Sequence, residues 1–146
     1  MDDNIQEEGI DKSNTRFYKA FESLSLERME EVWKHSDDIV CVHPGWDLFT
    51  GWMSIRESWA TIFRDTERIQ FNITNTKIRA LENMAIVICL ENIKTIVNEN
   101  KIRMGVVATN IFERQRSQKE SGWLMIHHHG SAMSNYMFPN STNHDN

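Results

Sequence analysis

Two stretches decide the fold: Ala85-Ile86-Val87-Ile88-Cys89-Leu90-Glu91-Asn92-Ile93, and Gly105-Val106-Val107-Ala108-Thr109-Asn110-Ile111-Phe112. Both are rich in β-branched residues and bounded by polar turn-formers, which is the mark of a β-strand. Both of their alternating faces are largely apolar. A strand with one solvated face would alternate cleanly, so these strands are predicted to be covered on both sides. The period-two pattern extends outward from them to four strands, over about 68–80, 84–97, 102–114 and 122–132. The breaks are Leu81-Glu82-Asn83, Asn98-Glu99-Asn100 and the polar run Gln115–Ser121, short enough for an antiparallel meander.

Upstream the periodicity changes. Phe17, Ala20, Phe21 and Leu24 follow the i, i+3, i+4, i+7 spacing of one helix face. Leu26, Met29 and Trp33 continue into a second, short helix, with Ser25 as N-cap and Glu27 facing the dipole in the first turn. Ile39–His43 reads as a strand, Pro44-Gly45 as a turn, and a third helix opens near Thr50-Gly51 to bury Trp52, Ile55, Trp59 and Ile62 or Phe63. Helices followed by a run of strands give an α+β class. Three helices can cover one sheet face. A second subunit is the simplest cover for the other, so a homodimer built on the outer face is expected. Residues 1–10 and 135–146 are polar and are expected to be disordered tails around one domain at 11–134.

The chain has 146 residues and a net charge of −5, and its 16 lysines and arginines are scattered. A phosphate-binding surface needs clustered basic charge, so nucleic acid is not an expected partner. No apolar run approaches the roughly 18 residues of a membrane helix, and the acidic start Met1-Asp2-Asp3-Asn4 lacks the regions of a signal peptide, so a cytoplasmic location is expected. Cys41 and Cys89 sit inside apolar runs and read as inert core thiols.

The order helix, helix, strand, helix, then four long strands resembles the NTF2-like superfamily. The phrases Phe17-Tyr18-Lys19-Ala20-Phe21, Val42-His43-Pro44-Gly45-Trp46, Thr50-Gly51-Trp52, Val106–Arg114 and Gly122–His129 are similar to its small SnoaL-like members. The resemblance implies a cone in which a curved sheet wraps on helices around a pocket, working without metal or cofactor. It also implies proton-shuttling chemistry of the ketosteroid-isomerase kind. The base position, before a proline at the end of the first strand, is held here by His43. The proton-donating acid, two residues before a phenylalanine, is replaced by Asn110. The tyrosine of the first helix is replaced by Phe17, with Tyr18 pointing about 100° away.

Histidine is competent as a base at neutral pH, so His43 is the candidate base and Asn110 the candidate oxyanion donor. Within His127-His128-His129, strand parity puts His127 and His129 on one face and His128 on the other. One of His127 and His129 is expected to face the cavity and orient substrate or act as acid. A metal site would need His43 or Glu91 to converge on that pair. Glu91, in mid-strand, needs a partner such as Arg103 or Arg79, or a place in the pocket or at the dimer interface. Phe17, Trp46, Trp52 and Trp59 would supply an aromatic wall, and so a small apolar or aromatic ligand is the expected partner. The expected function is cofactor-independent proton transfer of isomerase, dehydratase or cyclase type, the alternative a non-catalytic dimeric ligand-binding or assembly module. Asn110→Leu is expected to leave the fold intact, and His43→Ala to alter stability little.

Overall fold

The computed structural model describes residues 3–116 and 122–139. Helix α1 (Asp3–Ser23) is followed by α2 (Leu26–Val32), strand β1 (Val40–Val42), strand β2 (Leu48–Thr50) and helix α3 (Trp52–Asp65). Four long strands complete the chain: β3 (Arg68–Ala80), β4 (Met84–Val97), β5 (Asn100–Arg114) and β6 (Trp123–Ala132). Ser25 caps α2 by accepting from the Arg28 N–H. Three helices therefore lie on a curved, mostly antiparallel sheet of order β2-β1-β6-β5-β4-β3. The exception to antiparallel pairing is β1, which runs parallel to β6. Among the described residues no helix is long and apolar enough to cross a membrane.

Two features depart from the sequence reading. Strand β2 pairs antiparallel with β1 through Cys41 and Phe49, although three residues are too few to show a period. Segment 1–10 is not a tail throughout, because α1 begins at Asp3 and buries Ile10 completely. Ile5, Glu7 and Glu8 beside it are exposed, which is why the segment's composition read as disorder. At the other end, Tyr136 and Phe138 lie on the sheet's outer face, and 140–146 fall outside the described residues. Tyr136 covers Gly105, where an added Cβ would stand 2.1 Å from its ring, and its hydroxyl bonds to Asn92 Oδ1. Phe138 carries the Lys94 and Arg103 cations over its ring.

The core fills the space between the helices and the concave face of the sheet. Along β4 the inward residues are Ala85, Val87, Cys89, Glu91 and Ile93; along β5 they are Val106, Ala108, Asn110 and Phe112. On β6 the parity changes. Trp123 and Met125 are buried, then the register slips between Ile111 and Phe112 of the partner strand, after which His128 and Gly130 are buried. One extra residue at this bulge swaps the faces of everything beyond it. His128 therefore points into the core opposite Asn110, while His127 and His129 point outward.

Candidate functional site

The site begins with a carboxyl group in an unfavourable place. Glu91 is 3% exposed, flanked across the sheet by Ile73 and Val106. Its partner is not an arginine: the Tyr18 hydroxyl donates to Glu91 Oε2 at 2.5 Å. Arg103 lies on the opposite face over Phe138. Burial opposes ionisation more strongly than the tyrosine bond favours it, and the carboxyl is pushed up to about 7. The same burial, together with the Glu91 charge, keeps Tyr18 protonated well above its usual range.

From Tyr18 a hydrogen-bonded chain runs across the core. Asn110 Nδ2 donates to the Tyr18 oxygen at 3.1 Å and to Asn14 Oδ1 at 2.9 Å. With both amide protons committed, Asn110 Oδ1 accepts, so the 2.6 Å contact to His128 is a bond from Nδ1–H of a neutral imidazole. Burial and the neighbouring histidines, first of them His43, hold His128 well below the ordinary histidine range. The Cys89 thiol lies 3.4 Å from the Tyr18 oxygen, and burial raises it to about 11.

His43 occupies the same interior but a separate bond. The Ser58 hydroxyl donates to the Ile55 carbonyl at 2.7 Å, so it accepts from His43 Nε2–H at 2.9 Å. The ring packs edge-on against Trp59 at 4.6 Å, and burial lowers its pKa to about 4. His43 and Asn110 share a face, with His128 standing between them (ring centroids 6.3 Å from His43). The space around them is filled by Phe17 and Trp59, both with no exposure. The expected aromatic wall is therefore dispersed. Phe17 and Trp59 are core, Trp46 is 39% exposed beside His43, and Trp52 stacks on His35 at 4.3 Å. His127 and His129 stand outside with their rings 6.4 Å apart and do not meet His43 or Asn110. Among the described residues no three His, Cys, Asp or Glu side chains converge as metal ligands do.

The open space lies elsewhere. A cavity of about 260 Å³ sits between α1 and β3, with Tyr18, Asn14, Phe71 and Ile73 in its wall and Asp11, Lys19 and Glu22 around it. Tyr18 and Asn14 thus belong both to this wall and to the buried chain, and Glu91 stands one side chain behind it. Sequence reasoning missed Tyr18, Asn14 and His128. A signal for Tyr18 existed: a carboxyl forced inside needs a donor, and Tyr18 offers one on the neighbouring helix.

These bonds also correct two expected mutational outcomes. Asn110→Leu would strand the His128 N–H, Asn14 Oδ1 and the Tyr18 oxygen, each worth on the order of 1–3 kcal/mol when unsatisfied. Leucine's apolar burial offsets part of this, so a net loss of about 2 kcal/mol in urea unfolding is expected, not a neutral change. His43→Ala removes a buried ring packed on Trp59 and so leaves a cavity, which is also destabilising.

Comparison with known proteins follows the same lines. The chain is similar to a candidate dehydratase of the NTF2-like family from Streptomyces avermitilis, with 30% identity, a TM-score of 0.80, and coverage of 89% of this chain and 97% of that one. It is also similar to a candidate calcium/calmodulin-dependent protein kinase type II association domain from Thiobacillus denitrificans, with 29% identity, a TM-score of 0.72, and coverage of 84% and 93%. Among curated proteins it matches the F-box protein SKIP8 of Arabidopsis thaliana at 29% identity over 120 residues, which is 82% of this chain and 48% of that protein. The chain thus spans about half the length of this curated relative. The SnoaL-like domain matches residues 10–135. That match takes in the whole sheet and nearly all of the helical layer, and the chain belongs to the SnoaL-like domain family on the NTF2-like fold.

Proposed function

We propose that this protein is a small-molecule pocket protein that carries out acid-assisted proton transfer, of dehydratase or isomerase type, on a small aromatic or apolar carbonyl compound. The observation that carries this reading is Glu91: a carboxyl without a cation, inside the core, bonded to a tyrosine that forms part of a cavity wall. Such an arrangement is costly to the fold and is the kind found where a proton must be held near neutral pH. In this reading the proton-transfer role passes from His43 to the Glu91–Tyr18 pair. Protonated Glu91 donates to the Tyr18 oxygen as the Tyr18 O–H passes its proton to a carbonyl oxygen or to a departing hydroxyl, which leaves as water. The substrate's α-proton goes to solvent in the open cavity, and Glu91 takes a proton back from solvent. Phe71 and Ile73 hold the apolar body. The likeness to a candidate dehydratase supports this chemistry. The two buried free thiols suit the reducing cytoplasm.

The test is dehydration of a small β-hydroxy ketone such as 4-hydroxy-4-phenyl-2-butanone to its enone, followed by ultraviolet absorbance. The acid form of Glu91 is required, so the rate should be full below pH 7 and fall as pH rises through about 7. Glu91→Gln and Tyr18→Phe should each lower it by about 100-fold. Absence of enone from the unaltered protein across a panel of such ketones would count against an enzyme.

One observation favours the second reading, a dimeric association or ligand-binding module. Ile88 and Val107 are more than 40% exposed on the outer sheet face, beside the half-covered Leu90 and Ile111. Exposed apolar area of this kind marks an interaction surface. The likeness to a kinase association domain agrees with it. Light scattering at micromolar concentration is expected to give twice the 17.2 kDa chain mass, and Val107→Lys should shift it to the monomer.

A further inference from the structure

The far end of the buried chain has a role that the Glu91–Tyr18 pair needs and cannot supply. Tyr18 has one proton to give, and three acceptors could compete for it: Glu91, a pocket ligand, and the oxygen of Asn110. An amide can present either end. If Asn110 were turned over, its Oδ1 would face Tyr18 and take that proton, and neither Glu91 nor the pocket would receive it. The observed orientation avoids this, because Nδ2 faces Tyr18 at 3.1 Å and Asn14 at 2.9 Å, while Oδ1 accepts from His128 at 2.6 Å.

Asn14 cannot enforce that orientation by itself, since its own amide can turn over together with Asn110 and restore the pair. The His128 ring does so as long as its proton stays on Nδ1. It is 2% exposed and wedged against Phe17 (4.9 Å between centroids), with Trp59 at 6.1 Å and His43 at 6.3 Å. In the Nδ1–H form it offers Asn110 a donor and no acceptor at that atom, so the turned-over amide would put N–H against N–H.

We propose that His128 is a positioning residue for the Glu91–Tyr18 pair: its Nδ1–H fixes the Asn110 amide, which in turn reserves the Tyr18 proton for Glu91 or the pocket. This rests on the reading of Glu91 and Tyr18 as the proton-transfer pair. It also explains why, of three consecutive histidines, the bulge turns inward the one that meets Asn110. The titratable groups facing Glu91 are Tyr18 from α1 and Cys89 on its own strand; β3 and β5 oppose it with Ile73 and Val106. His128 therefore acts on Glu91 through bonds and not by direct charge.

The primary test uses the unaltered full chain labelled with ¹⁵N-histidine. His128 should appear as a neutral Nδ1–H imidazole from pH 5.5 to 8.5, through the whole Glu91 titration. A predominant Nε2–H form, or a switch between forms, would overturn the proposal. The second test follows the Glu91 carboxyl by ¹³C NMR. His128→Phe keeps the ring volume and removes the donor, so Tyr18 can turn to Asn110 and the Glu91 midpoint should rise by about one unit. His128→Gln, which restores an N–H donor, should bring it back toward that of the unaltered protein. An unchanged midpoint in a folded His128→Phe protein would also refute the role. Should that variant not fold, the tautomer measurement decides. Neither readout depends on turnover, so a failure of the proposed enzymatic function would be seen separately in the ketone assay.

Discussion

Trp59→Ala is expected to lower the unfolding free energy by about 3–5 kcal/mol, the largest loss foreseen from one side chain in this fold. Trp59 has no exposed surface, and its ring meets Phe17, Phe21, Phe63, His43 and His128 at centroid distances of 4.6 to 6.1 Å. It joins α3 to α1 and to the sheet, so the cavity left by alanine opens where three elements meet and cannot collapse onto one neighbour. The indole N–H has no hydrogen-bond partner among the described residues. Trp59→Phe, which deletes that orphan and keeps most of the ring, should therefore cost less than half as much. Urea unfolding followed by far-ultraviolet circular dichroism measures both without relying on the deleted fluorophore. Equal losses in the two variants would show that the packing account is wrong.

The second large effect is a gain. Glu91 has its carboxyl raised from 4.5 to about 7, so between those pH values the folded chain holds a proton that the unfolded chain has released. The associated stability is fully present below pH 4.5 and is lost as pH rises through 7. At pH 8 the buried charge costs on the order of 3 kcal/mol. Glu91→Gln removes that charge and keeps an oxygen for the Tyr18 hydroxyl. It should be more stable than the unaltered protein at pH 8 by up to this amount, with the advantage vanishing near pH 4.5. His43 acts with the opposite sign. Its pKa is lowered from 6.5 to about 4, so its contribution is present above 6.5 and lost as pH falls through 4, and His128 adds to it. The unaltered protein should accordingly be most stable near pH 6.5. Denaturant titrations from pH 4 to 8 would reveal this, and a Glu91→Gln advantage independent of pH would refute the assignment. A residue that weakens its own fold at working pH is retained for some other reason, which agrees with a functional role.

The long strands were legible in the sequence because each carries many turns of a period-two pattern. Strands β3 and β4 run over 68–80 and 84–97 as expected, and β5 and β6 differ by one or two residues at an end. What was not legible depended on single residues. Strand β2 has too few residues to show a period, and α1 hides Ile10 among charged neighbours. The bulge in β6 is one inserted position, and it decides which histidines face inward. At the candidate site, sequence parity put Asn110 and Glu91 on buried faces, but their partners came from α1, a helix whose rotation against the sheet no local pattern encodes. Tyr18, one position beyond the Phe17 singled out by resemblance, is the residue that arrives.

The parallel pairing of β1 with β6 has a consequence for the time course of folding. Val40–Val42 bonds to His127–His129, nearly ninety residues further along the chain, and among the described residues β1 has no other partner than the three-residue β2. As the chain emerges from the ribosome, β3, β4 and β5 can form hairpins in turn, while β1 and β2 must wait for the last strand. Closure of so long a loop is slow, in the millisecond-to-second range typical of domains dominated by distant contacts. The intermediate before closure would hold the β3–β6 meander with one edge of β6 unpaired, an edge that invites pairing with another chain. Refolding yield should therefore fall with protein concentration more steeply than equilibrium stability suggests, and residues 40–42 should be the last to gain protection from hydrogen exchange.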